Sequence, residues 1–413
     1  MKESGTRRSS SKENVMSKAP LKVSIVGAGL GGLAAAIALS ARGFEVRVFE
    51  QAPEVGEVGA GVQLAPNATR VLNALGLQEE IMKTAFEPER HAVVNWKTGK
   101  VTAATQMKGV YEKQFGARYL TFHRADLHAA LLQAVPSKQI TLNAKCRSVE
   151  DNGRSVVLRF EDGTEVESDL VIGADGIHSK VRESLYGPLA PRFTGVTCWR
   201  GVVPVGAVPK DTISRDMGAW LGPRSTLVTY YLRRGELINW AAFYEGNEWR
   251  EESWKTFANP DEVLRTYEAW HPSINTLISK TTQLYKWAVF ERDPLPQWTK
   301  GRVTLLGDSS HPMLPYLAQG GCMAFEDAYV LAAALAKSPE NVVGALKLYE
   351  SLRLPRASKV QLASRNRGPI NNVTSPIVRA TRDIGYAVQK LINPSKHTYK
   401  VEWIYNYDAT RAV

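Results

Sequence analysis

Cysteine is scarce. Three residues, Cys146, Cys198 and Cys322, lie far apart in a chain of 413 and none forms a C-x-x-C pair. That spacing argues against a disulfide framework, a cysteine-held zinc site and a dithiol redox centre, and it fits a reducing cytoplasm. Long apolar runs are missing too: nothing approaches the roughly 18 residues that a membrane span requires. Arg7-Arg8 has no apolar segment behind it, so a secretion signal is not expected. No internal repeat is found, and no metal site is expected.

Positive charge is in excess, at a formal net +11. Six Lys/Arg and two Glu fall within residues 1–22, most of them in a tail (1–20) too poor in apolar groups to offset ordering entropy. The remaining excess is scattered, with a cluster at Arg353, Arg356, Lys359, Arg365 and Arg367 that reads as a solvated basic face. Such a face helps collect anionic substrates and nicotinamide phosphates. With no RNA- or DNA-binding signature beside it, neither nucleic acid nor membrane is an expected partner.

The patterning is α/β. Lys22–Val26 reads as a strand, a helix follows over 30–40, and a second strand covers 45–50. Ile140–Ala144, Ser155–Phe160 and Glu165–Ser168 read as a meander, and Leu170–Gly173 as a buried strand. From about Phe193 to Phe290 the texture turns to aromatic-rich strands, with one helix near Asp261–Trp270. Seven of the ten tryptophans (Trp199, Trp220, Trp240, Trp249, Trp254, Trp270 and Trp287) lie in this stretch. A sheet of that kind can wall a flat apolar ring, although sheet-core packing accounts for most such residues. Gly301–Gly307 then returns to a strand running into glycine, followed by a helix through Ala318–Lys337. The expected organisation is a nucleotide-binding domain in three pieces (21–85, 116–191 and 291–345), a substrate sheet (86–115 and 192–290) and a C-terminal helical region (346–413).

Gly27, Gly29 and Gly32 satisfy G-x-G-x-x-G between a strand and a helix that opens at Leu30, the context in which a backbone cradles a pyrophosphate. Glu50, followed by Gln51, ends the next strand 18 residues after Gly32, where a carboxylate can bind a ribose diol. Alone, this motif does not separate FAD from NAD. Two further segments do: Asp169 to Gly176, containing Asp175, and Val303 to Asp308, followed by Ser309-Ser310-His311-Pro312, Gln319-Gly320-Gly321 and Glu326-Asp327. Asp308 is placed to bond a ribityl or ribose hydroxyl. The N–H groups near Gly320 and Gly321 can stabilise negative charge at the pyrimidine end of a flavin.

With all three marks in order, the sequence resembles the class A flavoprotein monooxygenases over roughly Lys22 to Asp408. The segments from Gly59 to Asn67, His123 to Leu127 and Leu314 to Gly320 are similar to those of salicylate, 3-hydroxybenzoate and 6-hydroxynicotinate hydroxylases. The resemblance implies a Rossmann-like FAD domain with an inserted β-sheet substrate domain. It implies FAD contacts from Gly61, Val62, Arg124 and Asp308, with Asp175 binding both FAD and the nicotinamide. It also implies that NADH or NADPH reduces FAD, that O2 then gives a C4a-hydroperoxyflavin, and that this hydroxylates a small acidic phenol or hydroxypyridine. Some relatives place a His and a Tyr on the strand before an Arg-Arg-Gly turn. Here Tyr230 is present and the His position is Thr226, which leaves the base open. Tyr230, Tyr316 and Gln63 are the candidate pocket residues, His311 is expected to be structural, and Arg200, Arg224 and Arg233 read first as surface strand charges, with pairing to a substrate carboxylate as the alternative.

A plain dehydrogenase would leave the later motifs idle, and a disulfide reductase would need C-x-x-C. An escort protein on the same fold would not need every cofactor contact. Among enzymes, the alternative is a hydroxylase of a purine or polycyclic natural product. A monomer or homodimer is expected.

Overall fold

The computed structural model describes residues 20–54, 60–246 and 256–413. Residues 1–19 of the expected tail, Gly59, Trp249 and Trp254 lie outside the described residues. Short runs of Val, Ile and Leu, buried on both faces, assemble a six-stranded sheet. Its order is Thr299–Lys300, Val303–Leu305, Leu170–Gly173, Lys22–Val26, Glu45–Phe49 and Ile140–Thr141. Every pairing is parallel except that of Thr299–Lys300. The small residues Ala34, Ala35, Ala36 and Ala38 of helix Leu30–Ser40 are fully buried and let it sit close to its neighbours.

The strand expected at 140–144 does not belong to the meander: Ile140–Thr141 extends the parallel sheet instead. The meander is Cys146–Asp151, Val156–Phe160 and Glu165–Ser168. Cys146–Asp151 reads CRSVED and carries too little apolar alternation to announce itself.

A second sheet of seven strands has the order Leu284–Glu291, Arg192–Pro204, Leu237–Glu245, Ser225–Leu232, Met217–Gly222, Arg90–Asn95 and Val101–Gln106. The expected α/β architecture, a discontinuous Rossmann-like unit carrying an inserted sheet, is the one found. The aromatic wall needs correction. Trp199, Trp220, Trp240 and Trp270 form a core with helices Pro260–Tyr267 and Pro272–Ser279 and do not line the cavity described below, whereas Trp287 does. One helix was expected at 261–270; there are two, divided before Pro272, whose ring disfavours helix at His271.

The C-terminal region consists mainly of helices Val342–Asn371 and Pro376–Ile392. The basic cluster of the first is not a solvated face. Arg353 is fully buried and pairs with Glu326 and Asp327, while Arg356 forks onto Glu326. Arg365 bonds Glu291 and Asp293, and the Arg367 guanidinium lies 3.5 Å from the centre of the Tyr399 ring. The carboxylates that neutralise this run come from distant segments, so the run alone misleads.

Candidate active site

The glycine fingerprint folds as the chemistry of a phosphate cradle requires. Gly27 has φ +104°, and an added Cβ would lie 2.5 Å from the Ala174 carbonyl oxygen. A Cβ on Gly32 would collide with the Gly27 carbonyl oxygen, which explains the tight strand-to-helix turn. Gly29 is different: open space lies where its Cβ would be, beside the start of the helix at Leu30. The Glu50 carboxylate accepts hydrogen bonds from Ala28 N–H (2.8 Å) and Ala52 N–H (2.9 Å), tying the fingerprint to the second strand; Gln51 is exposed beside it. His128 adds a ring nitrogen 2.7 Å from the Ala28 carbonyl oxygen.

Asp175 is turned inward. Its carboxylate accepts from the Ser179 hydroxyl (2.5 Å) and from Lys180 and Val181 N–H (2.7 and 3.2 Å), capping helix Lys180–Tyr186. Asp308 behaves otherwise. Its side chain is exposed, opening onto a cavity, and desolvation by the surrounding protein pushes its carboxyl above the ordinary range, with His311 and Arg124 opposing. The buried environment likewise lowers the Arg124 guanidinium, which Asp308 counteracts. Gly320 stands close to Asp308, and with Gly321 it opens helix Gly320–Lys337, whose first N–H groups have no intrahelical acceptor. The helix starts at Gly320, not Ala318, because Ala318 is left-handed at φ 52°.

Behind this edge, Asp327 Oδ2 is 2.6 Å from His311 Nε2 and accepts from Gly307 N–H (3.1 Å), while Arg353 Nε donates to Asp327 Oδ1 (2.7 Å). His311 is therefore structural, as expected. Glu326 and Asp327, quoted in the motif without a role, fix the glycine turn and the helix against each other. A Glu-Asp pair inside an otherwise apolar helix was the available signal.

The cavity measures about 340 Å³ and contains Gly61, Val62, Gln63, Arg124, Asp308, Gly320 and Gly321 in its lining. The second sheet closes the opposite side, and its register explains which residues appear there. One cavity-facing row runs through His91, Met217, Tyr230 and Asn239, the next through Ala219, Val228, Ala241 and Arg200, and the third includes Thr226, Phe243 and Trp287. Asn239 accepts from Gly61 N–H (2.8 Å) and the Tyr230 ring lies against Gly61, so the two sheets meet at this glycine. Tyr119 donates to Gln63 Oε1 (2.7 Å), and Gln63 also reaches the Tyr230 hydroxyl. Burial raises the Tyr230 phenol well above its ordinary value, which keeps it protonated.

Tyr316 lines the cavity with its ring. Its hydroxyl accepts from Asn372 Nδ2 (3.1 Å), and the same Asn372 takes the Thr226 hydroxyl at 2.7 Å. Thus the position without a His is occupied by a threonine committed to structure. Arg200 was read as a surface charge and is buried; its guanidinium lies 4.4 Å from the Trp287 ring centre, and burial lowers it to about 10. Arg224 is exposed and Arg233 forks onto Asp126. No motif marks Asn239 or His91, because only strand register reveals the face they share with Arg200.

These residues fit FAD: a phosphate turn left open at Gly29 lies at the first strand's end, and an accessible carboxylate, Asp308, meets a helix N-terminus at Gly320 and Gly321 in the cavity. When the chain is compared with known proteins, residues 20–364 match the FAD binding domain family. The chain is 38% identical over 352 residues to 6-hydroxynicotinate 3-monooxygenase of Pseudomonas fluorescens, covering 84% of this chain and 91% of the relative. It is 32% identical over 391 residues to 3-hydroxybenzoate 6-hydroxylase of Klebsiella oxytoca, covering 94% and 97%. A salicylate hydroxylase–substrate complex superposes with a TM-score of 0.81 at 27% identity, covering 96% of this chain and 98% of that one. No helix among the described residues is long and apolar enough to cross a membrane. The chain belongs to the FAD-binding class A flavin monooxygenases and is an FAD-dependent aromatic hydroxylase.

Proposed function

We propose that this enzyme hydroxylates a monocyclic acidic phenol or hydroxypyridine, using NADH or NADPH and O2. The observation that carries the choice of ring is Arg200, a buried cation in the wall of a cavity of about 340 Å³. Two guanidinium groups near the cavity, Arg124 and Arg200, favour an anionic ring electrostatically. The relatives named for hydroxynicotinate and hydroxybenzoate point the same way.

FAD, when bound, supplies the redox relay between the nicotinamide and O2. In the balance, a ring C–H becomes C–OH, the second oxygen leaves as water, the nicotinamide gives two electrons and a proton, and solvent gives the second proton. The residues proposed to hold FAD are Gly27, Gly29, Leu30, Gly32, Glu50, Gln51, Gly61, Val62, Arg124, Asp175, Asp308, Gly320 and Gly321. Glu50 and Asp175 act chiefly by bracing backbone, since their carboxylates already accept N–H groups of the chain. Tyr230, protonated and supported by Gln63, donates a hydrogen bond to the ring's oxygen substituent. Tyr316 contributes a flat wall. The three free cysteines are buried, which suits a reducing cytoplasm, and the working unit is a monomer or homodimer.

The test is steady-state oxidation of NADH and NADPH by the FAD-loaded enzyme over hydroxybenzoates and hydroxypyridines, with hydrogen peroxide measured alongside. One acidic ring should accelerate oxidation and yield hydroxylated product with little peroxide. If every acidic ring leaves the rate unchanged, or all electrons appear as peroxide, the substrate class is wrong. Replacing Tyr230 with Phe should lower kcat about 10- to 100-fold on the productive ring while leaving FAD bound.

A further inference from the structure

At one end of the cavity the chain places two imidazoles together. His91 comes from strand Arg90–Asn95 and His397 from the segment after helix Pro376–Ile392; their ring centres are 4.5 Å apart and both line the cavity. Both residues are at least nine-tenths buried. Tyr399 stands 4.7 Å from His91, ring to ring, with the Arg367 guanidinium over its far side.

The hydrogen-bond count at this end does not close. His91 Nδ1 is buried and has no partner among the described residues. His397 Nδ1 accepts from Tyr399 N–H at 3.0 Å, which fixes the proton of the neutral ring on Nε2 and leaves that N–H to the cavity. Buried polar groups are nearly always paired, so two imidazole edges left open beside a cavity mark a place where a ligand completes them. The nearby charges are of one sign except for Glu402. Burial, then Arg367 and Lys390, lower His91 to about 3; burial, His91, Lys390 and Arg367 hold His397 well below its ordinary value. Glu402 spends one carboxylate oxygen on His397 N–H at 2.7 Å. The His397 Nε2–H beside a second neutral imidazole, in a positive field, matches an oxygen acceptor that carries negative charge.

The register places this pair relative to the rest of the site. His91 and Tyr230 occupy one row two strands apart, roughly 10 Å at the backbone, which a substituted six-membered ring between their side chains can span. Arg200 lies four strands from His91, roughly 19 Å, so the two do not grip one substituent.

We propose that His91 and His397 form the subsite for the acidic oxygen substituent of the substrate ring, a carboxylate or a phenolate, and so select acidic rings. This rests on the reading of the cavity as a ring-hydroxylation site.

The test uses the FAD-loaded protein and the perturbation of flavin absorbance on titration with hydroxybenzoic acids, the matching methyl esters and the matching methyl ethers. His91→Asn, His91→Phe, His397→Gln and Arg200→Met are compared with the parent, with flavin content and Tm as folding controls. The subsite predicts that the His91 and His397 variants weaken acid binding at least 10-fold and weaken less than 3-fold the analogue whose docked group is blocked. Weakening that persists in the ethers and vanishes in the esters assigns the carboxylate as the docked group; weakening that persists in the esters and vanishes in the ethers assigns the phenolate. Equal weakening of acid and neutral analogues, or loss of acid preference in Arg200→Met alone, overturns the subsite while the ring-hydroxylase reading stands. A parent enzyme whose flavin responds to no ring overturns that reading and the subsite with it.

Discussion

Arg353 holds its charge with no exposed surface, and two carboxylates make that possible. Burial alone would lower its guanidinium, but Glu326 and Asp327 hold it above the ordinary value. Burial would likewise raise Asp327, but His311 and Arg353 hold it below. Removing one member of such a set strands the others, so Arg353→Met should destabilise the protein by about 3–5 kcal/mol in urea unfolding, with flavin lost first. A change under about 1 kcal/mol would show that Arg356 and His311 alone neutralise the pair. Asp308 makes the opposite prediction. It makes no structural cap and opens onto the cavity, so Asp308→Ala should weaken FAD by roughly 10- to 100-fold with little change in apoprotein Tm. Equilibrium dialysis and apoprotein melting separate the two effects.

The residue scale also sets the acid sensitivity. His91 and His397 are depressed below the unfolded value of about 6.5, so the unfolded chain takes up their protons first as pH falls. Their contribution is intact above about pH 6.5 and is lost below it. Asp327 is depressed relative to an unfolded value near 4, so its contribution disappears on further acidification. Stability should therefore fall in two stages, and His91→Phe should flatten the first. Melting curves across pH 4 to 8 that superpose for parent and variant would contradict this assignment.

At the level of elements, the sequence showed most plainly what local chemistry dictates. Lys22–Val26, the helix over 30–40 and Leu170–Gly173 were readable because apolar runs end in glycines that only one turn geometry accommodates. The Gly-Asp and Asp-Gly segments were readable for the same reason. Among cavity residues, Gln63, Tyr230 and Tyr316 were legible beside the motifs, whereas His91 and Asn239 were not, since they share a face with Arg200 only after strands distant in sequence have paired. The paired carboxylates of Arg353 were invisible from its own helix. Helix Pro376–Ile392 shows the limit of periodicity: its pattern is amphipathic, yet Ile377, Ile384 and Leu391 are 79%, 63% and 81% exposed, while Arg382 and Tyr386 face the body. Because Leu391 is largely in water already, Leu391→Lys should shift stability by less than about 0.5 kcal/mol. A larger loss in thermal unfolding would show that this face is covered.

For the whole molecule, two sheets built on different principles divide the labour. The parallel sheet brings strand ends and helix starts to one edge, where the proposed FAD contacts are largely backbone. The seven-stranded sheet, antiparallel except between Arg90–Asn95 and Met217–Gly222, offers rows of side chains, and Gly61 is the seam at which Tyr230 and Asn239 approach the first unit. Its other face is a tryptophan core that keeps the rows rigid. The cavity between them is therefore apolar in shape and polar at selected points, as an oxygen-transfer site that excludes water requires. The most direct test is mass spectrometry of the aromatic product formed by the FAD-loaded enzyme under isotopically labelled O2 with reduced nicotinamide. The account predicts an acidic monocyclic product that gains one labelled oxygen atom, with one nicotinamide consumed per product. An unlabelled product, or nicotinamide consumed with all labelled oxygen recovered as peroxide, would contradict it.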